Sequence, residues 1–396
     1  MTYIIEALRT PRGRGNSRGA LAGVAPVELL AQPLRALAAA QPQACAEAQD
    51  VIVGCVTQHS GQAGNIARLA ALQAGWSDSV PGVTLNRYCA SGLSATLFAA
   101  QCAHSTGAVA VSGGVEMMSN TPMGADAAPL FADTELQRRL NLVPIGLAAD
   151  AVATLEGFTR AQCDAYALAS QQRAQAALAQ GHFRSLVPVT DAHGTTLLAQ
   201  DETPRAATSA ESLARTPLAF DRLPDFSASL CDELKLSALT HVHHAANAPA
   251  TADGASVCLL AGDAAVRRLG LRPRARIVSH ATLAVNRTLA LTGAVDATQW
   301  ALQRAGLDVA DIDLFEVNES FAALMLHYQR HLGVPHERLN VNGGAIALGH
   351  AMGSTGCALV SMALDELERR QQRYAVVALC GATGLAAAAV LERLPA

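Results

Sequence analysis

Ala108-Val-Ala-Val-Ser112-Gly-Gly114 and Tyr374-Ala-Val-Val-Ala-Leu-Cys380-Gly381 are two versions of one phrase: a short apolar run that ends in small residues. Each follows a stretch that opens with glycine and reads as a helix. Ser91-Gly92 begins the first, and Thr355-Gly356 lies in the first turn of the second. Runs this short and this continuously apolar are strands of a sheet covered on both faces. The offset between the copies drifts by a few residues, which a loop insertion near Gln371 explains. Any two strand–helix–strand units share part of this pattern. An internal repeat is the stronger reading, because other elements recur around it.

In the first half, Tyr3–Leu8, Asp50–Gly54, Gly82–Leu85 and Ala108–Val111 read as buried strands, and Gly64–Ala74 and Gly92–His104 as helices. In the second, Ala297–Ala305 and Ser354–Arg370 read as helices, and Ile312–Val317, Ala375–Leu379 and Ala386–Glu392 as strands. The fold class is therefore α/β, in two repeated βαβ halves. Between them, Met117–Asn247 departs from the pattern. It carries a long helix over Thr159–Gln180, with Thr159 as its N-cap, and then polar, proline-containing stretches. It reads as an inserted loop domain. The predicted division is 1–116 plus 248–269, 117–247, and 270–396. Loops at the strand ends, where the halves meet, are the expected place for a site.

Composition narrows the function. Of 396 residues, 51% are hydrophobic and 16% charged, enough for a large core and too apolar for disorder. The net charge of -4, without runs of one sign, offers no nucleic-acid face and no polybasic membrane patch. A few arginines and helix N-termini can still hold an anionic ligand. The N-terminus lacks signal-peptide organisation, no stretch reaches membrane-span length, and Leu394-Pro395-Ala396 is not a peroxisomal address. A soluble cytoplasmic protein is expected. The nine cysteines are scattered without metal-like pairs. His241-Val-His243-His244 lacks a partnered ligand set, so no metal is expected.

Four segments carry candidate chemistry. In Asn86-Arg-Tyr-Cys89-Ala-Ser-Gly92, a cysteine precedes a helix whose unpaired N–H groups favour thiolate. Asn340-Val-Asn-Gly-Gly-Ala-Ile-Ala-Leu-Gly-His350 presents one histidine from a loop of small residues. Leu379-Cys380-Gly-Ala382-Thr-Gly384 places a second cysteine at a strand end. Phe315-Glu-Val-Asn318-Glu-Ser-Phe321 is a strand running into polar groups. Taken singly, each is also explained by packing. Together they match Claisen-type acyl chemistry, which needs a nucleophile, a base for a proton next to a thioester carbonyl, and donors for two oxyanions.

In order along the chain, Arg9-Thr-Pro-Arg-Gly, Asn86–Leu93, Gly113-Gly-Val-Glu-Met-Met-Ser119, Asp253-Gly254-Ala255, Val317–Phe321 and Asn342–His350 make the sequence resemble the thiolase family over nearly its whole length. The resemblance implies the thiolase fold, a five-layered αβαβα pair of repeats. It also implies reversible condensation and thiolysis between acyl-CoA plus acetyl-CoA and 3-oxoacyl-CoA plus CoA, in fatty acid and acyl-CoA metabolism. Cys89 would carry the acyl group, and His350 would assist its thiolate and hold one oxyanion. Cys380 would move the α-proton, and Asn318 would position a water beside His350. The N–H groups of Cys89 and Ala382 would form the second oxyanion hole. The substrate side is expected at Ile145, Pro249, Phe321 and Ala382. Coenzyme A thioesters enter as substrates, with no permanently bound cofactor, and the family implies a homodimer or homotetramer. Departures from the family pattern are Ala351 where a proline is usual, Ala382 where a glycine is usual, Pro249 in the CoA-facing loop, and Pro144-Ile145-Gly146 where acetoacetyl-specific members carry His-Met-Gly. They bear on acyl specificity. An accessory-pathway thiolase acting on 3-oxoadipyl- or branched acyl-CoA is therefore an alternative. A catalytically impaired acyl-CoA-binding paralogue is another.

Overall fold

The computed structural model describes residues 1–395; Ala396, the last residue of the C-terminal tripeptide discussed above, lies outside the described residues. The first half contributes strands β1 (Thr2–Arg9), β2 (Ala48–Gly54), β3 (Gly82–Leu85) and β4 (Val109–Met117). Its helices are α1 (Pro26–Ala40), α2 (Ile66–Gln73) and α3 (Ser91–Thr106). The chain then leaves the sheet for α4 (Ile145–Glu156), α5 (Arg160–Ala179) and α6 (Pro224–Leu234), and returns as β5 (Ala252–Gly262). The second half adds β6 (Ala275–Ala284), α7 (Ala294–Ala305), β7 (Leu314–Val317), α8 (Ala322–Leu332), α9 (Met352–Arg370), β8 (Tyr374–Cys380) and β9 (Leu385–Arg393). Among the described residues no single helix is long and apolar enough to cross a membrane.

Strand pairing makes the repeat explicit. The first half runs β3-β2-β4-β5-β1, and the second runs β7-β8-β9-β6. In both, a parallel pair (β2 with β4, β7 with β8) is followed by two antiparallel pairings. A parallel bridge from Phe315 to Leu339 stands where the first half has β3. The halves join along one short antiparallel seam, Tyr3 to Arg276 and Ile4 to Ala275.

The layers follow from the two-residue period of each strand. Ala375, Val377 and Leu379 of β8 face a middle core with Leu93 and Leu97 of α3 and Leu359, Val360 and Leu364 of α9. The intervening Val376 and Ala378 face the outside helices, against Ala301 and Leu302 of α7 and Met325 and Tyr328 of α8. In the first half, Val109 and Val111 point outward to Leu29, Leu30 and Leu34 of α1 and to Ile66 and Ala70 of α2, while Ala110 points to the middle. Helix, sheet, paired central helices, sheet, helix is the five-layered arrangement. Because both faces of each sheet are dry, the strands read as unbroken apolar runs.

The two central helices touch through backbone. A Cβ on Gly92 would lie 2.5 Å from the Gly353 carbonyl oxygen, and one on Gly356 would overlap the Leu93 backbone nitrogen. Glycine here removes the side chain that would hold α3 and α9 apart. The starts of both helices are thereby brought to one point, and Cys89 and His350 immediately precede those starts.

Candidate active site

The turn before α3 is built by its own side chains. Asn86 accepts from the Tyr88 N–H at 2.8 Å and donates to the Val56 carbonyl at 3.0 Å. The Ser91 hydroxyl accepts from the Arg87 N–H at 2.8 Å and donates to the Tyr88 carbonyl. These bonds hold Tyr88 at a left-handed φ of 47°, a strained setting for a bulky residue, and present Cys89 at the helix start. Cys89 keeps partial exposure, whereas Cys380 is buried.

Gly381 lies against this turn, its Cβ position 3.3 Å from the Arg87 carbonyl oxygen and 3.5 Å from the Cys89 nitrogen. So the end of β8 delivers Cys380 beside Cys89. Burial, the neighbouring Cys380 and Glu116 push the Cys89 thiol up to about 12. Burial pushes Cys380 up to about 11, although a bond from Ser320 opposes it. This corrects the expectation that the helix N-terminus leaves Cys89 favouring thiolate. Desolvation of a charge in a closed site outweighs the partial charge of the helix end. Cys89 rests as a thiol.

His350 stands two residues before α9, the helix packed against the start of α3. Its N–H donates to the Ala250 carbonyl at 2.8 Å, and Nδ1 lies 2.8 Å from the Thr355 hydroxyl, one turn into α9. Its Nε2 is buried with no partner. Burial first, and the Arg12 guanidinium second, lower the imidazole to about 3, so it is neutral at physiological pH. Thr355 was missed by sequence reasoning, although its place five residues after His350 was a usable signal. A hydroxyl can donate to Nδ1 or accept from it. In the first case Nε2–H is a donor, as an oxyanion requires. In the second Nε2 is a free base.

Asn318 follows β7. Its amide donates to the Ser320 hydroxyl at 3.0 Å, and its Oδ1 is buried and unpartnered. Ser320 in turn lies 3.0 Å from Cys380 Sγ. Neither Ser320 nor the carboxylate of Glu116 was singled out from sequence. Glu116 accepts from the N–H groups of Val56, Thr57 and Gly353, each at 3.0 Å, and from Gln62 at 2.9 Å. It ties the start of α9 to the ends of β2 and β4. Glu319 accepts from Ser170 at 2.7 Å, Tyr166 at 3.1 Å and the Ile346 N–H at 3.0 Å, which fastens α5 to the His350 loop.

The expected substrate-side residues fall into three places. Phe321 is buried at the start of α8, edge-on to Phe220 at 6.0 Å and to His243 at 5.1 Å. Ile145 packs on the same cluster, and Phe220 sits over Gly146, where any side chain would overlap its ring. Pro249 lines a separate cleft of about 580 Å³ with Arg14, Arg18, Thr203, Arg205 and Thr251. Thr251, which lines this cleft, forms a backbone bridge with His350. Ala382 opens the turn after Cys380-Gly381 and is partly exposed, with Thr383 and Gly384 both at positive φ. The histidine run is occupied by carboxylates. His241 and His243 bond Asp150 at 2.8 and 2.7 Å, and His244 bonds Asp164 at 2.8 Å.

Two thiols and an amide therefore gather at the ends of the strands, and a neutral imidazole precedes the central helix packed against the Cys89 turn. The family description "Thiolase, N-terminal domain" matches residues 2–228, and "Thiolase, C-terminal domain" matches residues 271–393. The chain belongs to the thiolase family. A steroid 3-ketoacyl-CoA thiolase of Mycobacterium tuberculosis is 36% identical to it, over 99% of this chain and 94% of that protein. A 3-oxoadipyl-CoA/3-oxo-5,6-dehydrosuberyl-CoA thiolase of Escherichia coli is 37% identical, over 99% of both. The crystal structure of the Bacillus anthracis acetyl-CoA acetyltransferase superposes with a TM-score of 0.85 at 30% identity, covering 99% of this chain and 98% of that one. This thiolase is thus an enzyme of acyl transfer with the thiolase fold.

Proposed function

We propose that Cys89 carries the acyl group and that His350, Cys380 and Asn318 serve it in the thiolase reaction. The observation that carries this reading is the unpartnered, neutral His350 Nε2, in a site that also holds two thiols. In thiolysis of a 3-oxoacyl-CoA, His350 Nε2 takes the Cys89 proton as sulfur attacks the 3-oxo carbon. The C2–C3 bond breaks, its electron pair forms the acetyl-CoA enolate, and Cys380 protonates that carbon. The Cys380 thiolate then takes the proton of the CoA thiol, the CoA sulfur attacks the Cys89 thioester to release the shortened acyl-CoA, and the departing Cys89 sulfur recovers its proton from His350. Condensation is the reverse, with Cys380 thiolate removing the α-proton of acetyl-CoA. The free Asn318 Oδ1 suits a water whose other hydrogen points at the enolate oxygen, next to His350. Backbone N–H groups of Cys89 and Ala382 serve the tetrahedral oxyanion. The methyl of Ala382 leaves its N–H in place. The thiols and imidazole supply nucleophile, acid and base, so the chemistry requires no bound cofactor or metal.

The cationic cleft at Arg14, Arg18 and Arg205 suits the phosphates of coenzyme A. The wall of Ile145, Phe220 and Phe321 is apolar, which supports an apolar acyl group over one that ends in a carboxylate. The second reading, an accessory-pathway thiolase for 3-oxoadipyl-CoA, draws on the named activity of the Escherichia coli relative. Intact-protein mass spectrometry after brief exposure to acetoacetyl-, longer 3-oxoacyl- and 3-oxoadipyl-CoA separates them. The expected result is one acyl adduct per chain, favoured by apolar chains and absent from Cys89→Ala. An adduct that persists on Cys89→Ala overturns the assignment of the nucleophile.

In the same reading, 1–116 with 248–269 and 270–396 are the two halves of the catalytic frame, and 117–247 is the wall that covers the substrate. Cytoplasmic residence and a homodimer or homotetramer complete it. The free edge of β3, with exposed Val83 and Phe98 near Cys89, supports pairing of subunits at that edge. Sedimentation velocity tests it, with a monomer as the contrary result.

A further inference from the structure

At the end of α8 opposite Ser320 and Phe321, α4 and α8 run side by side and their C-terminal turns meet. His327 and His331 stand one turn apart on α8, on the face toward α4. Glu156, the last residue of α4, reaches between them. Its Oε1 lies 3.0 Å from His327 Nδ1 and 2.8 Å from His331 Nε2. The three donor atoms all fall within 4.8 Å of one another. Ligands on a tetrahedral Zn²⁺ sit about 3.3 Å apart at ordinary Zn–N and Zn–O lengths. The two distances to Glu156 Oε1, 3.0 and 2.8 Å, lie within about 0.5 Å of that spacing.

The remaining features agree. Arg330 engages the other carboxylate oxygen, Oε2, at 2.8 Å and the Glu156 carbonyl at 2.7 Å, so it orients the carboxylate and leaves Oε1 to the imidazoles. Its charge also weakens binding of any cation. His331 is 45% exposed, which gives an ion a way in and leaves room for a water as fourth ligand.

We propose that Glu156, His327 and His331 form a binding site for a divalent transition metal of the zinc type, stapling the end of α4 to the end of α8. Two imidazoles and one carboxylate suit Zn²⁺ rather than Mg²⁺ or Ca²⁺, which prefer all-oxygen shells. The staple is structural. It fixes the far ends of the two helices whose near ends carry Ile145 and Phe321.

The test uses full-length, untagged protein freed of metal by chelation. Titration calorimetry with Zn²⁺ should show one equivalent bound per chain, together with a rise in Tm. His331→Ala and His327→Ala should each weaken binding by at least about tenfold and abolish the rise in Tm. Circular dichroism checks that each variant is folded, and the exposed position of His331 makes its variant the safer of the two. A Co²⁺-loaded sample should show a ligand-field spectrum without thiolate charge-transfer bands. No binding, binding undiminished in His331→Ala, or thiolate bands that assign the metal to Cys89 and Cys380 would each overturn the proposal.

Discussion

Cys380 and Ser320 lie 3.0 Å apart, and among the described residues the hydroxyl is the only polar side chain bonded to that sulfur. As a donor it stabilises thiolate, and it opposes the upward push of burial on Cys380. In the proposed mechanism condensation uses Cys380 as thiolate, so its rate should rise with pH through the Cys380 pKa. Without the hydroxyl that pKa is higher. Ser320→Ala should therefore move the rise of condensation kcat to higher pH. A hydrogen bond worth about 0.5–1.5 kcal/mol predicts a loss of roughly 2- to 12-fold near pH 8 that shrinks as pH increases. A steady-state pH profile checks it, and a uniform loss at all pH values would mean Ser320 only packs. At this scale, the sequence exposed the reactive side chains by type and motif but not their protonation. The turn around Cys89 pointed to a thiolate because the helix end is local and visible in the chain. What reverses it is burial under the closing layers, with the charges of Cys380 and Glu116 adding to it, and none of these is near in sequence. Thr355 and Ser320 were overlooked for a related reason: a hydroxyl among small residues has no chemistry until a partner is placed beside it.

Among the elements, the strand–turn–helix units were legible and the edges of the pattern were not. Helix α5 has the capping box that Thr159 announces, with Gln162 as its reciprocal partner. Helix α1 gave no clear signal because Pro33 stands in its interior, a residue that normally ends a helix, and the buried Leu29, Leu30, Leu34 and Leu37 hold it on the sheet regardless. Strand β5 was obscured by Asp253-Gly254 near its start. Asp253 is tolerated there because it accepts from the Ser119 N–H at 2.9 Å, and Gly254 because Ala351 and Arg12 press on it. The small Ala351 methyl, 3.3 Å from the Gly254 Cβ position, thus adjoins the Arg12 stem. The crossing of α3 and α9 yields a firmer expectation. Gly356→Ala puts a methyl onto the Leu93 backbone, which cannot move without shifting both helices. It should lower stability by about 3 kcal/mol or more, the upper range for overpacking, and reduce activity further by parting Cys89 from His350. Chemical denaturation and kcat/KM measure the two effects. A variant of native stability and rate would show that the helices do not touch as described.

For the whole molecule, the seam at Tyr3–Ile4 and Ala275–Arg276 is short, yet the halves share the middle core. Leu93 and Leu97 from one half and Leu359 and Leu364 from the other occupy a single apolar layer. A half expressed alone exposes that layer to water. Residues 1–269 should consequently fail to give a cooperative thermal transition, whereas the complete chain melts in one step. Calorimetry on both chains decides this, and a cooperative, soluble first half would contradict a shared core. The sequence revealed the duplication through one repeated phrase. It did not reveal that the copies depend on each other, because no window of residues records which layer a leucine enters.

The glycine contact between α3 and α9 has a consequence for how such a chain can change over time. The turns that present Cys89 and His350 belong to different halves, far apart in the gene, yet they rest on a common backbone-to-backbone surface with no slack. Bulk added on one side is tolerated only if the other side yields in the same step. Single-site libraries at Gly92, Gly353 and Gly356 will therefore look uniformly barren, and paired libraries are where surviving combinations are to be sought. Drift in acyl preference is left to positions outside that surface, such as Ile145 and Pro249.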